Sequence, residues 1–466
     1  MTGSGRSAAW PSWNVERPPT EVPASPPVLG ATPTPVAPDP GVTPDAPRRA
    51  RQRKIAALAA VVVAVVALVA VGWVRITDTG DSTASPSVAS PVLPDPGASN
   101  EPVTPVPPTA EQITAEVLLL SQFVEQQRGL QFQRPVTVDV LPPDVFSARV
   151  AEELAADAPS FEALGRLLSA LGLVSPQEDI VRTMTTLVSL SALGFYDPVN
   201  DVMVISGDSL DLLTRRTIVH ELVHALDDQW FDLDRPAYDE LTDETPFGFS
   251  AVVEGNAARI DAAWVATLSE PDQRELFRLE SLTSADIDPA TVPPALIELL
   301  NAPYVLGVDL IATLLLAGDE QAVDQALQAP PTTSSAVLWH ERYISGFAPV
   351  AVETPPADGD PTESGMFGEF LLRLSLTSAL LESDATAAAR GWRGDSYVVW
   401  RTPEENNCVR VDTETANTRA RDLLSQAITD WTSTLPDAST ELLGDTGVRF
   451  TSCSVQAPAG DSGSPL

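Results

Sequence analysis

The alternation of apolar and polar positions separates a non-globular N-terminal region from one large folded domain. Residues 1–54 are rich in Pro, Ala, Thr and Ser and lack sustained apolar periodicity, so they cannot bury enough surface to offset chain entropy and are predicted to be disordered. Residues 55–74 form an apolar run long enough to cross a bilayer as one helix. Residues 75–110 are rich in Pro and Ser and predict an extended linker. The folded domain is expected over residues 111–456, followed by a disordered tail at 457–466.

Basic residues directly before the apolar run predict the orientation of this helix. They are Arg48, Arg49, Arg51, Arg53 and Lys54. Because such residues remain on the cytoplasmic side, we expect a single-pass cell-membrane protein with a cytoplasmic N-terminus and an extracytoplasmic domain. The alternative is a cleaved signal peptide, which normally starts close to the N-terminal methionine and has a shorter apolar core. A retained anchor is therefore the favoured interpretation.

Within the domain, the periodicity predicts mostly helices and a few strands. Apolar residues recur at helical spacing in several segments, whereas strict alternation over short runs indicates strands. The predicted helices cover residues 111–130, 148–173 with a break near Pro159, 371–381 and 418–431. The predicted strands cover residues 136–141, 194–196, 202–205, 397–400, 409–411 and 447–452, and 391–395 is predicted as a turn. This pattern indicates an α+β, mainly helical fold.

The net charge of −36 limits the partners of the domain. Lys54 is the only lysine in the chain, and the excess of acidic residues argues against binding of the outer domain to nucleic acid or anionic lipid. An acidic balance is typical of a solvated surface, and binding of cationic peptides or calcium is the alternative. The two cysteines, Cys408 and Cys453, would lie in an oxidising compartment and are expected to form a disulfide.

Two of the three histidines lie one helical turn apart in the sequence His220-Glu221-Leu222-Val223-His224. In a helix, residues four positions apart project from the same face, so both imidazoles can bind one metal ion while Glu221 reaches a water in the open coordination position. Apolar residues surround the motif over several turns, which predicts a buried helix. We therefore predict one Zn²⁺ per chain, with histidines that merely pack in the core as the alternative.

A catalytic zinc site needs a third protein ligand and one position for water. No further histidine follows in the spacing HExxHxxGxxH, so the third ligand should be a carboxylate. We select Glu254, because residues 249–258 predict a second buried helix whose small residues allow close approach to the first. Glu244 is the alternative, but it lies in an acidic, proline-bounded segment that predicts a solvated loop. Asp228 and Asp261 are candidates for holding the outer ring nitrogens of the histidines, with an ordinary helix-surface role as the alternative.

The motif followed by residues 253–257 (Val-Glu-Gly-Asn-Ala) resembles the gluzincin group of zinc metallopeptidases, in which a second helix supplies a glutamate often written E-G-x-A. Other segments are similar to membrane-anchored or secreted bacterial members of that group: residues 194–197, 220–233, 303–307, 337–343 and 391–395. The resemblance implies a zincin-like, thermolysin-like core with a small mixed sheet beside the active-site helix. It also implies that His220, His224 and Glu254 are the metal ligands and Glu221 the catalytic base. In such enzymes the strand before the motif helix commonly binds extended substrate at a sheet edge.

One departure from the family concerns residues 336–343. Related sequences carry Gln-Val-Leu-His-Pro before a tyrosine, whereas this chain has Ala-Val-Leu-Trp-His-Glu-Arg-Tyr, which displaces the histidine by one position. His340 or Tyr343 would have the chemistry to donate a hydrogen bond to a tetrahedral oxyanion. A purely structural role of His340 is the alternative interpretation.

These features predict a membrane-anchored zinc metallopeptidase that hydrolyses peptide bonds outside the cytoplasm, with a peptide or protein as substrate and no nucleic-acid partner. An endopeptidase is favoured, because the G-A-M-E-N segment of gluzincin aminopeptidases is absent from the sequence. The sequence also lacks a G-x-S-x-G elbow and Walker or Rossmann glycine patterns, which argues against those classes of enzyme. The alternative function is a catalytically inactive, zincin-like surface-binding or scaffold protein.

Overall fold

The computed structural model describes residues 108–283 and 291–455. The predicted disordered tails, the predicted membrane helix at 55–74 and nearly all of the predicted linker lie outside the described residues. The described part combines many helices with two small β-sheets, so the predicted α+β, mainly helical class is confirmed. Helices and strands are numbered below in chain order.

The first half of the domain contains one three-stranded sheet and the helices around it. Its elements are α1 (Ala110–Arg128), β1 (Thr137–Leu141), α2 (Pro143–Leu154), α3 (Ala158–Ala170), α4 (Ile180–Ser191), β2 (Gly194–Asp197), β3 (Val202–Ser206), α5 (Leu212–Phe231), α6 (Thr245–Thr267) and α7 (Glu270–Thr283). Strand β3 is central: β1 pairs with it in parallel and β2 pairs with it antiparallel, so β2 forms one edge of the sheet. The predicted strand pair around residues 194–205 is confirmed.

The second half contains a long helix and a five-stranded antiparallel sheet. Its elements are α8 (Pro294–Gln328), α9 (Ser334–Leu338), α10 (His340–Ile344), β4 (Pro361–Gly365), α11 (Gly368–Thr377), α12 (Glu382–Ala389), β5 (Trp392–Arg401), β6 (Asn407–Thr415), α13 (Thr418–Thr432), β7 (Ala438–Leu443) and β8 (Gly447–Cys453). The strand order is β4-β5-β6-β8-β7. Cys408 of β6 lies opposite Cys453 of β8, and the two form the predicted disulfide.

Local signals explain several boundaries of these elements. The first predicted helix ends at Arg128, because Gly129 adopts a φ of 67°, the left-handed conformation in which glycine commonly ends a helix. The predicted break near Pro159 is confirmed, since a short 3₁₀ turn separates α2 from α3 and Pro159 lies in the first turn of α3. The turn predicted at 391–395 is wrong, because most of that segment pairs with β6 as the start of β5.

Helix α5, which carries the histidine motif, is enclosed by the core. Asp211 caps its N-terminus by accepting a hydrogen bond from the backbone N–H of Thr214, which fixes where the helix begins. Its apolar side chains, including Ile218 and Leu222, belong to one hydrophobic cluster together with Met203 of β3 and residues of α6. The small mixed sheet therefore lies beside the motif helix, as predicted.

Helices α6 and α8 approach each other at two glycines. A Cβ atom at Gly255 would lie 2.2 Å from the carbonyl carbon of Gly307, and one at Gly307 would lie 2.1 Å from the carbonyl oxygen of Ala251. Glycine, which has no Cβ, allows the two backbones to come this close. The contact places α8 directly against the helix that carries Glu254.

Helix α8 is the one described helix that is long and apolar enough to cross a membrane by length and composition. Leu310, Ile311 and Leu314 are nevertheless buried in a hydrophobic cluster that they share with residues of α6. Its helical geometry is interrupted at Gly318 and Asp319. Core helices of folded domains pass the same length and composition test, so this finding is weak evidence for a membrane span.

We predict that Gly255→Ala separates α6 from α8 and destabilises the domain. The added methyl group collides with backbone atoms of Gly307, which have no rotamer to change, so we expect a loss of about 3 kcal/mol or more in the free energy of unfolding. Gly318→Ala in α8 is the matched control, because the same methyl group there meets the Cβ of Ala322 at 3.2 Å and no backbone. Urea unfolding followed by circular dichroism measures both variants, and equal losses would contradict the prediction.

Candidate metal centre

The motif side chains are buried on one side of α5. His220, Glu221 and His224 expose 3%, 1% and 5% of their surface. The centroids of the two imidazoles lie 4.8 Å apart, with the ring planes at 81° to each other. Helical spacing therefore brings both rings to one place in the interior, as the sequence predicts.

Glu254 on α6 completes a three-residue group. Its Oε2 atom lies 3.3 Å from His220 Nε2 and 3.5 Å from His224 Nε2. One ligand atom from each of the three residues lies within 4.8 Å of the others. These three residues are the ligands predicted from the sequence, and they could hold a metal ion. Together with Glu221 they are called the metal group below.

Charge interactions within the group shift the pKa values of its members. Burial disfavours a charged imidazole, but hydrogen bonds with Asp261 and Glu254 outweigh burial and raise the pKa of His220 to about 10. Burial raises the pKa of Glu221. Burial also opposes ionisation of Glu254, yet the neighbouring His224 and His220 lower its pKa overall. The group therefore stabilises a positive charge at its centre.

Several polar atoms of the group have no hydrogen-bond partner within the described residues. They are Glu221 Oε2, Glu254 Oε1 and both ring nitrogens of His224. A buried polar atom left without a partner costs about 1–3 kcal/mol. Coordination of a cation through His224 Nε2, together with its water, would satisfy these atoms other than His224 Nδ1, so the residues present fit a metal.

Of the two aspartates predicted to orient the histidines, one contacts them. Asp261 Oδ2 lies 3.1 Å from His220 Nδ1. Asp228 instead accepts hydrogen bonds from the Tyr196 hydroxyl and the Leu233 backbone N–H. Asp261 therefore fixes the ring orientation of one candidate ligand, whereas Asp228 stabilises the end of α5.

Tyr304 on α8 is a neighbour of the group that the sequence did not single out. Its ring stacks on His220 with the centroids 6.4 Å apart. Burial, the charges of Glu254 and Glu221 and a hydrogen bond with Glu254 raise the pKa of its hydroxyl. The signal in the sequence was the family similarity of residues 303–307, which assigned no role to the tyrosine. A neutral hydroxyl donor thus stands beside the third candidate ligand.

The structure does not bring His340 and Tyr343 to the metal group. Thr313 Oγ1 lies 2.7 Å from His340 Nδ1, and Tyr343 donates its hydroxyl to the carbonyl oxygen of Ala329 at 2.7 Å. Burial lowers the pKa of His340. Both residues lie on the short helix α10; the partner of His340 on α8 lies more than two helical turns beyond Tyr304, and the partner of Tyr343 is the residue after α8. These contacts do not support the oxyanion role predicted for them.

Glu244, the alternative third ligand, lies apart from the group at the start of α6. Its carboxylate accepts hydrogen bonds from the backbone N–H and the hydroxyl of Ser334 at 2.8 and 2.9 Å. Burial raises its pKa to about 8, and the nearby carboxylates of Asp395 and Glu369 add to the shift. The predicted loop is present at residues 241–244, and Leu241 and Thr242 are exposed, but the Glu244 side chain is only partly solvated because Ser334, distant in sequence, bonds with it.

Comparison of the chain with models of protein families, with curated proteins and with solved structures finds no match. The gluzincin-like residues are therefore interpreted through their own geometry. Three features carry that interpretation: a buried group of two histidines and a glutamate, a second glutamate with an unpaired oxygen, and an aspartate that orients one imidazole.

We predict that Asp261→Asn weakens metal binding at this group by about 10- to 100-fold, because the variant loses the carboxylate that orients and polarises His220. Asp228→Asn is the matched control, since its hydrogen bonds go to Tyr196 and Leu233 and it should leave metal affinity unchanged. Competition with a chromophoric zinc chelator measures the dissociation constants. Equal weakening in both variants would speak against an orienting role of Asp261.

The raised pKa of Glu244 predicts a pH-dependent stability. Between pH 4.5, its ordinary pKa, and about pH 8, the unfolded chain releases this proton while the folded domain keeps it. The free energy of unfolding should therefore fall as pH rises through this window and level off above it. Glu244→Gln cannot ionise and is expected to remove this part of the fall.

Urea unfolding at several pH values tests the effect of Glu244→Gln against Glu404→Gln, which changes an exposed glutamate. The stability of Glu244→Gln relative to the parent should increase with pH, while that of Glu404→Gln stays constant. Burial also raises the pKa of Asp395, to about 6. In all three proteins this carboxyl therefore lowers the free energy of unfolding as pH rises. The difference between proteins is therefore the informative quantity, and parallel curves for the parent and Glu244→Gln would refute the prediction.

Proposed function

We propose that the domain is a zinc-dependent metallopeptidase with a gluzincin-type, zincin-like core. The observation that carries the proposal is the position of Glu254 Oε2, 3.3 Å from His220 Nε2 and 3.5 Å from His224 Nε2. Ligand atoms about 2.0–2.1 Å from a tetrahedral zinc ion lie roughly 3.3–3.4 Å from one another. The distances from Glu254 to the two imidazoles therefore support a site for zinc.

The chemistry of the donor set supports a catalytic ion, one per chain. Two imidazoles and one carboxylate are a ligand set of catalytic zinc sites, which leave the fourth position to water. A structural zinc site usually has four protein ligands, often including cysteine. Cys408 and Cys453 are joined in a disulfide and cannot supply thiolates.

Glu221 is the residue that would move protons in this reaction. Zinc held by His220, His224 and Glu254 supplies Lewis-acid polarisation of a peptide carbonyl and makes water easier to deprotonate. Glu221 Oε2 is buried without a hydrogen-bond partner among the described residues, and interaction with the backbone N–H of Tyr196 opposes the rise that burial causes in the pKa of the same carboxyl. Glu221 takes one proton from the attacking water as its oxygen bonds to the carbonyl carbon, and gives that proton to the nitrogen as the C–N bond breaks.

Tyr304 takes the role that the sequence predicted for His340 or Tyr343. An oxyanion donor must stand where negative charge develops, which is beside the metal and the base. The buried Tyr304 hydroxyl interacts with Glu254 and Glu221, and its raised pKa keeps its proton available for donation. It is therefore the proposed donor to the tetrahedral oxygen.

We also propose that the domain works outside the cytoplasm on a membrane anchor. The predicted anchor at 55–74 lies outside the described residues, and its support is its apolar length and basic flank. The disulfide between Cys408 and Cys453 supports an oxidising compartment. The proposed substrate is a peptide or protein that is cleaved internally, because the exopeptidase segment of gluzincin aminopeptidases is absent from the sequence.

Burial of the metal group affects how a substrate reaches it. Glu221 and Glu254 are almost fully enclosed, and all four residues of the edge strand β2 are buried as well. A polypeptide reaches these groups only after surrounding elements separate. The same burial is the observation that favours the second candidate function, a zincin-like scaffold or surface-binding protein without turnover.

Glu221→Gln distinguishes the two functions. We predict that the variant keeps about one zinc per chain, because Glu221 is not a proposed ligand, and loses about 100-fold or more of its turnover, because general acid–base catalysis contributes at least that much. Elemental mass spectrometry and cleavage of a fluorescent unfolded protein measure the two quantities. The exposed substitution Glu404→Gln should change neither of them. Stoichiometric zinc in a parent that cleaves nothing would support the scaffold, and a folded parent without zinc would contradict the proposal.

A further inference from the structure

Asn301, in the first part of α8, has a buried side-chain amide without a hydrogen-bond partner within the described residues. The residue is 3% exposed, and neither Oδ1 nor Nδ2 is bonded. Other amides in the domain have partners: Asn256 Nδ2 donates to Asp227, and Asn407 Nδ2 donates to Ser169. Donors and acceptors left unpaired in the interior are costly, so this amide requires a physical reason.

The position of Asn301 connects it with the metal group. It lies one helical turn before Tyr304 on the same side of α8. Tyr304 stacks on His220 and hydrogen-bonds with Glu254. Glu221 Oε2 and Glu254 Oε1 also lack partners within the described residues. Unpaired polar atoms therefore occur both at the metal group and one turn along the helix that packs against it.

We propose that Asn301 binds the backbone of a peptide substrate beside the metal group, an inference that rests on the proposed peptidase function. A primary amide offers one acceptor and two donors, which match the N–H and C=O of a peptide group. A charged substrate side chain would call for an opposite charge, whereas Asn301 is neutral. Recognition through the backbone makes the substrate class an extended polypeptide, with little dependence on its side chains at this contact.

Because the Asn301 amide is unpaired, its contact with a peptide backbone should contribute strongly to the affinity for substrate. Burial in the substrate-free protein removes the amide from bulk water, and no group within the described residues replaces its hydrogen bonds with water. A bound peptide backbone restores these hydrogen bonds. The contact therefore favours substrate binding more than it would if the amide first had to give up a partner in the protein. Removal of the amide should therefore weaken substrate binding without weakening the fold.

Asn301→Leu tests this expectation, because leucine has nearly the same shape and no polar atoms. The full-length protein is loaded with zinc in the Glu221→Gln background, in which a bound peptide is not cleaved. Fluorescence anisotropy then gives the dissociation constant of a labelled, unstructured peptide. We expect Asn301→Leu to weaken peptide binding about 10-fold or more, while the urea midpoint of unfolding stays equal or rises. With Glu221 intact, kcat/KM should fall by a similar factor.

Asn407→Leu in β6 is the matched control, since it removes a side-chain amide that is paired with Ser169. It should lower the urea midpoint and leave peptide affinity unchanged. Asn301→Ala removes the same amide as Asn301→Leu without a bulkier side chain. It takes the place of the leucine variant if that variant does not fold.

Peptide affinity within about twofold of the parent in the Asn301 variants would overturn the inference, because the loss of a hydrogen bond changes affinity by more. An unchanged affinity with a lowered urea midpoint would also overturn it and would assign the amide to a buried water. A parent that binds no peptide would overturn it as well. Failure of the proposed function has a different signature, which is a parent that binds peptide but cleaves none; the effect of Asn301 on the dissociation constant still decides the inference there.

Discussion

Burial of the Glu254 carboxylate between two imidazoles is the interaction on which the rest of the structure depends. The residue is 1% exposed, and an unpaired carboxylate in such a place costs several kcal/mol. His220 and His224 on α5 and the Tyr304 hydroxyl on α8 offset that cost. The buried carboxylate of α6 is therefore stable only when α5 supplies the imidazoles and α8 supplies the hydroxyl. The metal group and the packing of α5, α6 and α8 therefore stabilise each other.

A second set of buried charges fixes the same helices farther along their length. Arg128 of α1 is buried and donates hydrogen bonds to Asp227 of α5 and to Glu320 and Asp324 of α8. Asn256 of α6 donates to Asp227 as well. Rotation of α5 would separate the buried Asp227 carboxylate from Arg128, and rotation of α6 would remove the hydrogen bond that Asn256 donates to it. Together with the glycine contact between α6 and α8, the network limits where the candidate ligands can lie.

The sequence could predict the parts of the site that depend on one helix. Residues four positions apart meet on a helix whatever surrounds it, and the apolar neighbours of Glu254 mark a buried helix. Tyr304 could not be found in this way, because it lies beside His220 through the packing of α8 against α6, which periodicity does not encode. Glu244 shows that a polar pattern can also be misleading about the exposure of a side chain. Its segment is polar and predicts a solvated loop, yet Ser334, far along the chain, bonds with its side chain.

Enclosure strengthens the chemistry of the site and restricts access to it. Hydrogen bonds and charges act more strongly in a water-poor interior, which would favour the proposed activation of a peptide bond. Separation of α5, α6 and α8 is opposed by the hydrogen bond between Asn256 of α6 and the buried Asp227 of α5, and by the backbone contact between α6 and α8. Access for the proposed polypeptide substrate would therefore depend on elements other than these three helices. Strand β2 is one of these, and the backbone N–H of its Tyr196 influences the pKa of Glu221, so movement of this sheet edge would change the surroundings of the proposed base at the same time.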